Sequence, residues 1–349
     1  MGDLFESFNG NFDIKKEHIN GVGNYVITAG LSNNGILGKT DVDAKIFDKN
    51  TITIDMFGNA FYRQFQYKMV THARVFSLKP LFEMTQKQGL FMANSFHFLK
   101  YGFGYENMCS WAKIGNTKIS LPTKNGEIDF DFMENFISQL EAFRLSQLEA
   151  YLLVTGLKDY TLTFAEQQAL ADFENGKVQW GEFNLKKLFG KSTRGKRLKS
   201  ADRITGNLPF VTAGEADTGI SAYIGNEVEV FSKNTTTIDM FGSAKYRNYD
   251  YGGDDHIAVV HTEKLNKHTS IFTTTAIHKS SYAGKFSYAR NFYAKDADEL
   301  NIFLPSQNNA PNYDYMALLI SAIQKLVIKD VVLYADKKIE ATKQAMGKG

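Results

Sequence analysis

The sequence predicts an α+β protein in which two β-rich units follow each other along the chain, each followed by a long helix. A segment of seventeen residues from Phe47 to Arg63 occurs again from Phe231 to Arg247, with thirteen identical positions and a constant offset of 184 residues. Short runs of β-branched and aromatic residues alternate with Gly, Asn and Asp, as is typical of strands and turns. Two longer segments carry apolar residues at helical spacing. A tandem duplication explains these observations together.

The duplication reaches beyond the repeated segment. The sequence VITAG at 26–30 matches FVTAG at 210–214 at the same offset. The stretch from Gln64 to Leu90 resembles the one from Asn248 to Ser270 only loosely. Each repeat therefore has constant ends and a variable middle.

The residue composition inside each repeat predicts strands. The runs TITID, ARVFSL, IAVVHT and SIFTTTAI are rich in β-branched residues, which favour a pleated sheet. In the repeated segment the strand TITIDM leads into Phe57, Gly58 and Asn59. Because glycine adopts positive φ at little cost, a hairpin turn or a bulge is predicted at Gly58.

Helices are predicted after each repeat. Apolar residues recur at threes and fours from Phe132 until Gly156, which predicts a helix of about 24 residues and roughly 36 Å. A second such pattern starts at Tyr313 and could reach about 45 Å. Between them, Thr163 and Glu166 form a capping box that begins a shorter helix.

The predicted organisation follows from these elements. We expect the two long helices to pack as an antiparallel coiled coil, with cyclic pseudo-two-fold symmetry between the repeats. The first β-rich unit covers 1–130, central spacer helices cover 131–177, the second unit covers 178–311, and a C-terminal spacer helix covers 312–349.

Composition narrows the class of protein. Cys109 is the single cysteine and excludes an intramolecular disulfide, which agrees with a reducing cytoplasm. The N-terminus has neither a basic start nor an apolar run. The most apolar stretch, 316–334, contains Lys325, Lys329 and Asp330, so it does not predict a membrane span. A cytoplasmic protein without a membrane partner is expected.

Charge is balanced globally but clustered locally. The net charge is only +2, yet between Lys186 and Arg203 eight basic residues stand against one acid, Asp202. Such a run is either a solvated surface loop or a contact for a polyanion. Composition alone leaves both interpretations open.

Several enzyme signatures fail in this sequence. Gly190-Lys191-Ser192 lacks the upstream glycine of a phosphate-binding loop, and no Gly-x-Ser-x-Gly is present. Asp254 and Asp255 beside His256 have no acidic counterpart in the first repeat, which disfavours a metal site. We therefore predict no catalytic residue and no metal, and favour two binding modules held apart by helices.

The pattern resembles the DNA specificity (S) subunit of bacterial restriction-modification systems over nearly the whole chain. The resemblance rests on the VTAG-like segments, the TIDMFG turns, the long helices and the sequence WGEFNLKKLFGKSTRGKRL at 180–198. The linker at 147–166, QLEAYLLVTGLKDYTLTFAE, is similar to that of stand-alone type IIB specificity subunits. Type I systems use the same architecture, and both types remain open.

The resemblance implies a non-catalytic subunit that binds double-stranded DNA. Each repeat would be a target-recognition domain that docks in the major groove at one half-site of a bipartite, asymmetric target. The helices would set the spacing and hold methyltransferase or fused methyltransferase-nuclease subunits. No cofactor is expected on this chain, whereas S-adenosylmethionine and Mg are expected on the partner subunit.

Comparing the repeats predicts DNA contacts. Positions that differ beside the glycine turn are candidates for base contacts, namely Asn59, Ser243, Phe61 and Lys245. Identical positions could clamp phosphate or equally brace the fold, namely Arg63 and Arg247, supported by Tyr62 and Tyr246. The resemblance also favours backbone contacts from four residues of the basic run, namely Arg194, Lys196, Arg197 and Lys199.

Two alternatives to a restriction subunit remain. The chain could be an orphan or phage-borne recognition subunit that redirects a host methyltransferase, which the neighbouring genes would reveal. A duplicated β-rich hydrolase is the more distant alternative. Turnover of a substrate by the purified chain alone would support the hydrolase.

Overall fold

The protein is described by a computed structural model that covers residues 1–346. It is a mixed α/β chain that divides into two compact units, Met1–Glu149 and Ala150–Gly349. The last three residues of the predicted helix over 312–349 lie outside the described residues. Within the described part, no helix is both long and apolar enough to cross a membrane.

The first unit contains short strands and three α-helices among its described elements. The strands are β1 (Phe5–Asn9), β2 (Asn24–Ile27), β3 (Ile36–Thr40), β4 (Thr51–Ile54), β5 (Ala60–Arg63), β6 (Tyr67–Met69), β7 (Phe76–Pro80), β8 (Thr123–Lys124) and β9 (Glu127–Ile128). The helices are α1 (Gln86–Ser95), α2 (Trp111–Ile114) and α3 (Phe130–Val154), of which α3 ends within the second unit.

Two sheets organise the first unit. Strands β1, β7, β4 and β5 form an antiparallel sheet in that order, and β3, β2 and β6 form a second sheet in which β2 and β6 run parallel. Tyr67 joins the two sheets, because its hydroxyl lies 2.8 Å from that of Thr51 and 2.6 Å from that of Ser77. Each sheet buries its own apolar cluster, with Phe5, Ile52, Ile54 and Phe96 in one, and Ile14, Val26, Ile27 and Met69 in the other.

The second unit repeats part of this plan and adds helices. Its helices are α4 (Phe164–Glu174), α5 (Leu185–Phe189), α6 (Lys267–Ser281), α7 (Ala294–Glu299) and α8 (Tyr313–Met346). Its strands are β10 (Trp180–Asn184), β11 (Thr193–Arg194), β12 (Thr205–Val211), β13 (Ile220–Ile224), β14 (Val230–Phe231), β15 (Thr235–Asp239), β16 (Ala244–Arg247), β17 (Tyr251–Gly253), β18 (Ile257–Val260), β19 (Asn301–Gln307) and β20 (Ala310–Pro311).

The sheets of the second unit correspond to those of the first. The order β11-β18-β15-β16 matches β1-β7-β4-β5, and the order β13-β12-β17-β14 contains a parallel pair, β12 with β17, where the first unit has β2 with β6. Tyr251 again reaches a strand threonine, with its hydroxyl 2.9 Å from that of Thr235. A third sheet, β10-β19-β20, has α6 packed against β19.

The structure contains the predicted helices at the predicted positions. Helix α3 covers 25 residues and begins where the Asp129 carboxylate accepts the backbone N–H of Phe132 at 2.8 Å. Helix α8 covers 34 residues. The capping box before α4 is present, because the Thr163 hydroxyl accepts the backbone N–H of Glu166 while the Glu166 side chain accepts that of Thr163.

One predicted strand is wrong. The run SIFTTTAI lies inside helix α6, not in a sheet. Asn266 caps this helix by accepting the backbone N–H of Thr269 at 2.9 Å. The hydroxyl of Thr274 is satisfied inside the helix by the carbonyl of Ser270 at 2.8 Å, a bond that lets a buried threonine remain helical. Packing of α6 against α8 and β16 then outweighs the intrinsic β-preference of threonine.

Glu166 joins α4 to α8 inside the second unit. One carboxylate oxygen accepts the Ser321 hydroxyl at 2.6 Å, and the other accepts the Lys325 ammonium at 3.0 Å and the backbone N–H of Thr163 at 2.7 Å. Burial would raise the pKa of this carboxyl, but hydrogen bonds led by that from Ser321 lower it to about 2. Glu166 therefore caps α4 and also links α4 to α8 through hydrogen bonds to Ser321 and Lys325.

Glu166→Gln should destabilise the second unit by about 2 kcal/mol at neutral pH, since charge-assisted bonds are replaced by weaker ones. A depressed carboxyl pKa contributes stability above its ordinary value of 4.5 and loses it as the pH falls towards 2. The difference between wild type and variant should therefore shrink below pH 4.5. Urea unfolding of both proteins at neutral and acidic pH measures this difference in the free energy of unfolding.

Glu174→Gln is the matched control for this link, because Glu174 is exposed and also lies on α4. It should leave the unfolding midpoint unchanged at both pH values. An equal effect of the two substitutions would show that the Glu166 network does not stabilise the helix pair.

Candidate nucleic-acid interface

The two copies of the repeated segment fold into the same hairpin. The Asp55 carboxylate accepts the backbone N–H groups of Phe57 and Asn59, each at 2.9 Å, and closes the turn between β4 and β5. Gly58 has φ +80°, and a Cβ there would lie 2.7 Å from the backbone of Leu99. A side chain at this position would be strained and would clash. The predicted hairpin turn is confirmed.

The second hairpin uses the same bonds. Asp239 accepts the backbone N–H groups of Phe241 and Ser243 at 2.9 and 3.0 Å. Gly242 has φ +87°, and a Cβ there would lie 2.4 Å from the carbonyl oxygen of Ser281. The identical residues of the repeated segment therefore form a rigid frame.

Arg63 and Arg247 belong to the interior of this frame. They are only 2% and 1% exposed. The Nε of Arg63 donates to Thr53 Oγ1 at 2.8 Å, and the Nε of Arg247 donates to Thr237 Oγ1 at 2.9 Å. A guanidinium enclosed in this way has no free edge for a phosphate. The predicted phosphate clamp does not fit this burial, and the bracing alternative does.

The buried charge of Arg63 is retained. Burial lowers the pKa of Arg63 to about 10, while Tyr67 and Asp55 act in the opposite direction. The guanidinium is therefore protonated at neutral pH and is balanced by the Asp55 carboxylate of the hairpin turn. Removing it would leave the Thr53 hydroxyl without its donor and the Asp55 carboxylate without a nearby positive charge.

Tyr62 and Tyr246 also brace the frame. Their hydroxyls donate to the side-chain carbonyls of Asn50 and Asn234 at 2.6 and 2.9 Å. Both asparagines have positive φ, +60° and +66°, a conformation that asparagine tolerates better than most residues. The tyrosines thus hold the turn that leads into β4 and β15.

The predicted base contacts lie in different settings. Ser243 is 2% exposed and accepts the Lys245 ammonium at 2.9 Å, so it has no surface to offer a base. Lys245 also donates to Glu215 at 3.1 Å. Asn59 is half-buried and donates to Asp55 at 2.9 Å. Phe61 is half-buried with the Arg63 guanidinium 5.1 Å from its ring centre.

The basic loop is an exposed feature of the second unit, and we define it as residues 194–199. Arg194, Lys196, Arg197 and Lys199 are all exposed. The backbone N–H of Lys196 donates to the carbonyl of Gly253 at 3.0 Å. A Cβ on Gly195 would lie 1.9 Å from that carbonyl oxygen. Close backbone packing therefore fixes the loop while its charged side chains remain in solvent.

Acidic residues beneath the basic loop help to hold it. Asp254 accepts the backbone N–H of Leu198 at 3.3 Å, and Arg197 lies 3.7 Å from Asp255. Asp254, Asp255 and His256 have ligand atoms within 4.8 Å of one another. His256 lies 3.2 Å from Asp255 Oδ1, an enclosed oxygen that has no hydrogen-bond partner. Asp254 and Asp255 therefore contact both His256 and the basic loop.

The structure also shows a pair of surface loops that the sequence prediction did not single out. We define the variable loops as residues 31–34 and 215–218, which connect β2 to β3 and β12 to β13. All eight residues are exposed and all four positions differ between the repeats. They are flanked on both sides by identical residues, Thr-Ala-Gly before and Gly-Ile after. Extending the repeat comparison past VITAG would have found them.

Each buried arginine lies directly under a variable loop. Nη1 of Arg247 donates to the carbonyl of Thr218 at 2.8 Å. A Cβ built on Gly35 would lie 3.6 Å from Nη2 of Arg63, and one built on Gly219 would lie 3.7 Å from Nη2 of Arg247. The constant interior thus supports the exposed and divergent surface.

In this arrangement one frame is built twice, and different side chains are displayed on each copy. Residues 1–150 match the family model described as the type I restriction modification DNA specificity domain. The resemblance predicted from the sequence is confirmed. The chain is thus similar to the DNA specificity subunits of restriction-modification systems.

Individual relatives show the same resemblance. The chain is 23% identical over 338 residues to the Type II restriction enzyme BgcI specificity subunit S.BcgI of Heyndrickxia coagulans, covering 94% of each protein. It also shares its fold with the crystal structure of the type I restriction-modification S subunit of M. genitalium. That match has a TM-score of 0.60 and 17% identity, and covers 99% of this chain and 92% of the other.

Proposed function

We propose that this chain reads a bipartite, asymmetric DNA target, one half-site per repeat, and positions methyltransferase or fused methyltransferase-nuclease subunits on it. The observation that carries the proposal is the duplicated frame of hairpin, buried arginine and loop. Its turn aspartates, turn glycines and buried arginines are identical in the two copies, whereas its exposed loops differ at all four positions. Two identical surfaces would serve a symmetric target. Divergent surfaces on one frame are suited to two different half-sites.

The basic loop supports a DNA partner. Its four exposed cations lie on backbone held by close packing, and ordered cations at the surface are suited to phosphate contacts that position a protein without reading bases. Arg194, Lys196, Arg197 and Lys199 are therefore assigned to the DNA backbone. Double-stranded DNA is the expected ligand.

The long helices support a spaced target. Their lengths, 25 and 34 residues, correspond to roughly 37 and 51 Å, long enough to separate two recognition domains by about one DNA turn of 34 Å. Large apolar side chains are exposed along both helices, and we assign them to antiparallel helix pairing and to the partner subunits. They include Phe132, Phe136, Leu140, Phe143, Leu326, Val327 and Tyr334.

The chemistry of modification is assigned to the partner subunit. S-adenosylmethionine and Mg would be bound there. This chain would determine only the DNA sequence at which modification takes place. A cytoplasmic location fits access to DNA.

Methylation mapping by long-read sequencing tests the proposed function. In cells that carry this gene with an adjacent methyltransferase gene, the modified bases should lie in two short, different sequence blocks separated by a nonspecific spacer. Deleting this gene alone should abolish that modification. A single continuous short motif, or modification that persists without the gene, would contradict the proposal.

A further inference from the structure

We propose that the variable loops, 31–34 and 215–218, read the base edges that distinguish the two half-sites. The first loop would read adenine through its asparagine amides, and the second would read cytosine through its carboxylates. This inference rests on the proposed function and adds to it the side chains and the bases that they recognise.

The sequence pattern separates these loops from the rest of the frame. In the repeated hairpin the differing residues are half-buried or buried, and Ile52, Thr236 and Ser243 are almost fully enclosed. In the variable loops four consecutive positions differ and all of them are exposed. A reader of different half-sites needs different side chains at equivalent, accessible positions, and the variable loops meet both conditions.

The backbone of the loops is held in a rare conformation. Asn33 and Asn34 have φ of +48° and +51°, and Asp217 and Thr218 have φ of +46° and +56°. Two consecutive left-handed residues are uncommon, and a β-branched threonine in this region is a genuine outlier. Such conformations persist where surrounding structure holds them, and they cluster at functional sites.

Neighbouring residues that are identical in the two repeats enforce this conformation. Gly35 and Gly219 follow the loops at φ of +72° and +86°, and a Cβ on either would lie 2.7 or 2.8 Å from a backbone carbonyl oxygen. Arg247 donates to the carbonyl of Thr218 from below. The side chains are therefore presented on a preorganised backbone, so little conformational entropy is lost when DNA binds.

The positive φ values in the variable loops are not explained by a tight hairpin turn. Asn308 and Asn309 also have positive φ, +52° and +62°, but they directly connect β19 to β20, where a two-residue turn requires it. The connection from β2 to β3 has eight residues, 28–35, and a loop of that length can close without left-handed asparagines. This contrast also supplies a matched control.

The side-chain chemistry assigns the bases. Asparagine amides pair with the N6 and N7 atoms of adenine, and carboxylates accept the N4 amino group of cytosine. Asn33 and Asn34 supply amides, whereas Glu215 and Asp217 supply carboxylates. Hydrogen bonds from Ser243 and Lys245 lower the pKa of Glu215, so that it is an acceptor at neutral pH. At the equivalent position Leu31 is 69% exposed and suited to a thymine methyl group.

Selection from a pool of random DNA duplexes tests the assignment with the full-length chain. The variants are Asn33→Gly/Asn34→Gly and Asp217→Gly/Thr218→Gly, because glycine keeps positive φ without strain. Asn308→Gly/Asn309→Gly is the control, with the same residue change at the same backbone conformation. Wild type and control should enrich the same two sequence blocks.

Each loop variant should relax one block only. The first variant should lose preference for adenine at one or two positions, by about tenfold per base pair. The second variant retains Glu215 and should lose preference for cytosine by about tenfold at the position that Asp217 reads. The other block, the melting temperature and the salt dependence of binding should remain unchanged. Unchanged blocks in both variants, or a uniform loss over all sequences, would overturn the inference while leaving the proposed function intact. Absence of any enriched sequence with wild type would overturn both.

Discussion

Arg247→Ala should lower the free energy of unfolding of the second unit by about 3 kcal/mol, because breaking a buried charge network leaves its partners without compensation. The guanidinium is 1% exposed and bonds to Thr237, to the carbonyl of Thr218 and to the hydroxyl of Tyr249. Alanine would remove all of these bonds and create a cavity. Arg247→Lys should also be destabilising, since lysine retains the charge but cannot reproduce the planar fork.

The two tryptophans allow this effect to be located. Trp111 lies in the first unit and Trp180 in the second. In a Trp111→Phe background, tryptophan fluorescence during urea unfolding reports on the second unit alone. In this background the urea concentration at the unfolding midpoint should be much lower for Arg247→Ala than for wild type. Arg63→Ala, followed through Trp111 in a Trp180→Phe background, should give the matching result in the first unit.

These variants separate bracing from phosphate clamping. A clamp at the surface would change the salt dependence of DNA binding and leave the unfolding midpoint where it is. The burial of both arginines predicts the opposite pattern. If Arg247→Ala unfolds at the same urea concentration as wild type, Arg247 does not hold the loop.

Arg197→Ala/Lys199→Ala should flatten the dependence of binding on salt by about two units of slope, at roughly 0.9 per phosphate contact. Between 50 and 200 mM salt the variant should therefore lose about tenfold less affinity than wild type. The preferred sequence should not change, since phosphate contacts carry no base information. Binding titrations on one duplex over a series of salt concentrations measure the slope.

Lys329→Ala/Lys337→Ala is the matched control for the basic loop. Both lysines are exposed but lie on α8, which we assign to helix pairing and partner subunits. The control removes the same net charge and should keep the wild-type slope. Equal slopes for the two double variants would show that overall charge, rather than the basic loop, governs the salt dependence.

Repeat comparison predicted the frame of the protein well, but several of the residues that it marked as DNA contacts are buried. Identity between the copies correctly marked the hairpin, but it does not distinguish a residue kept for contact with DNA from one kept for packing. Arg63 and Ser243 show the difficulty, because both are polar and both are buried. The variable loops carry a different signal, four differing and exposed positions between identical flanks.

The sequence by itself determined the duplication, the long helices, the capping box at Thr163 and the basic loop. These features depend on residues close together in the chain, where spacing and composition decide the outcome. Only the tertiary structure decided that the arginines lie beneath the variable loops and that the threonine-rich run forms α6. Burial depends on neighbours distant in sequence, such as Thr218 for Arg247, and local pattern cannot specify them.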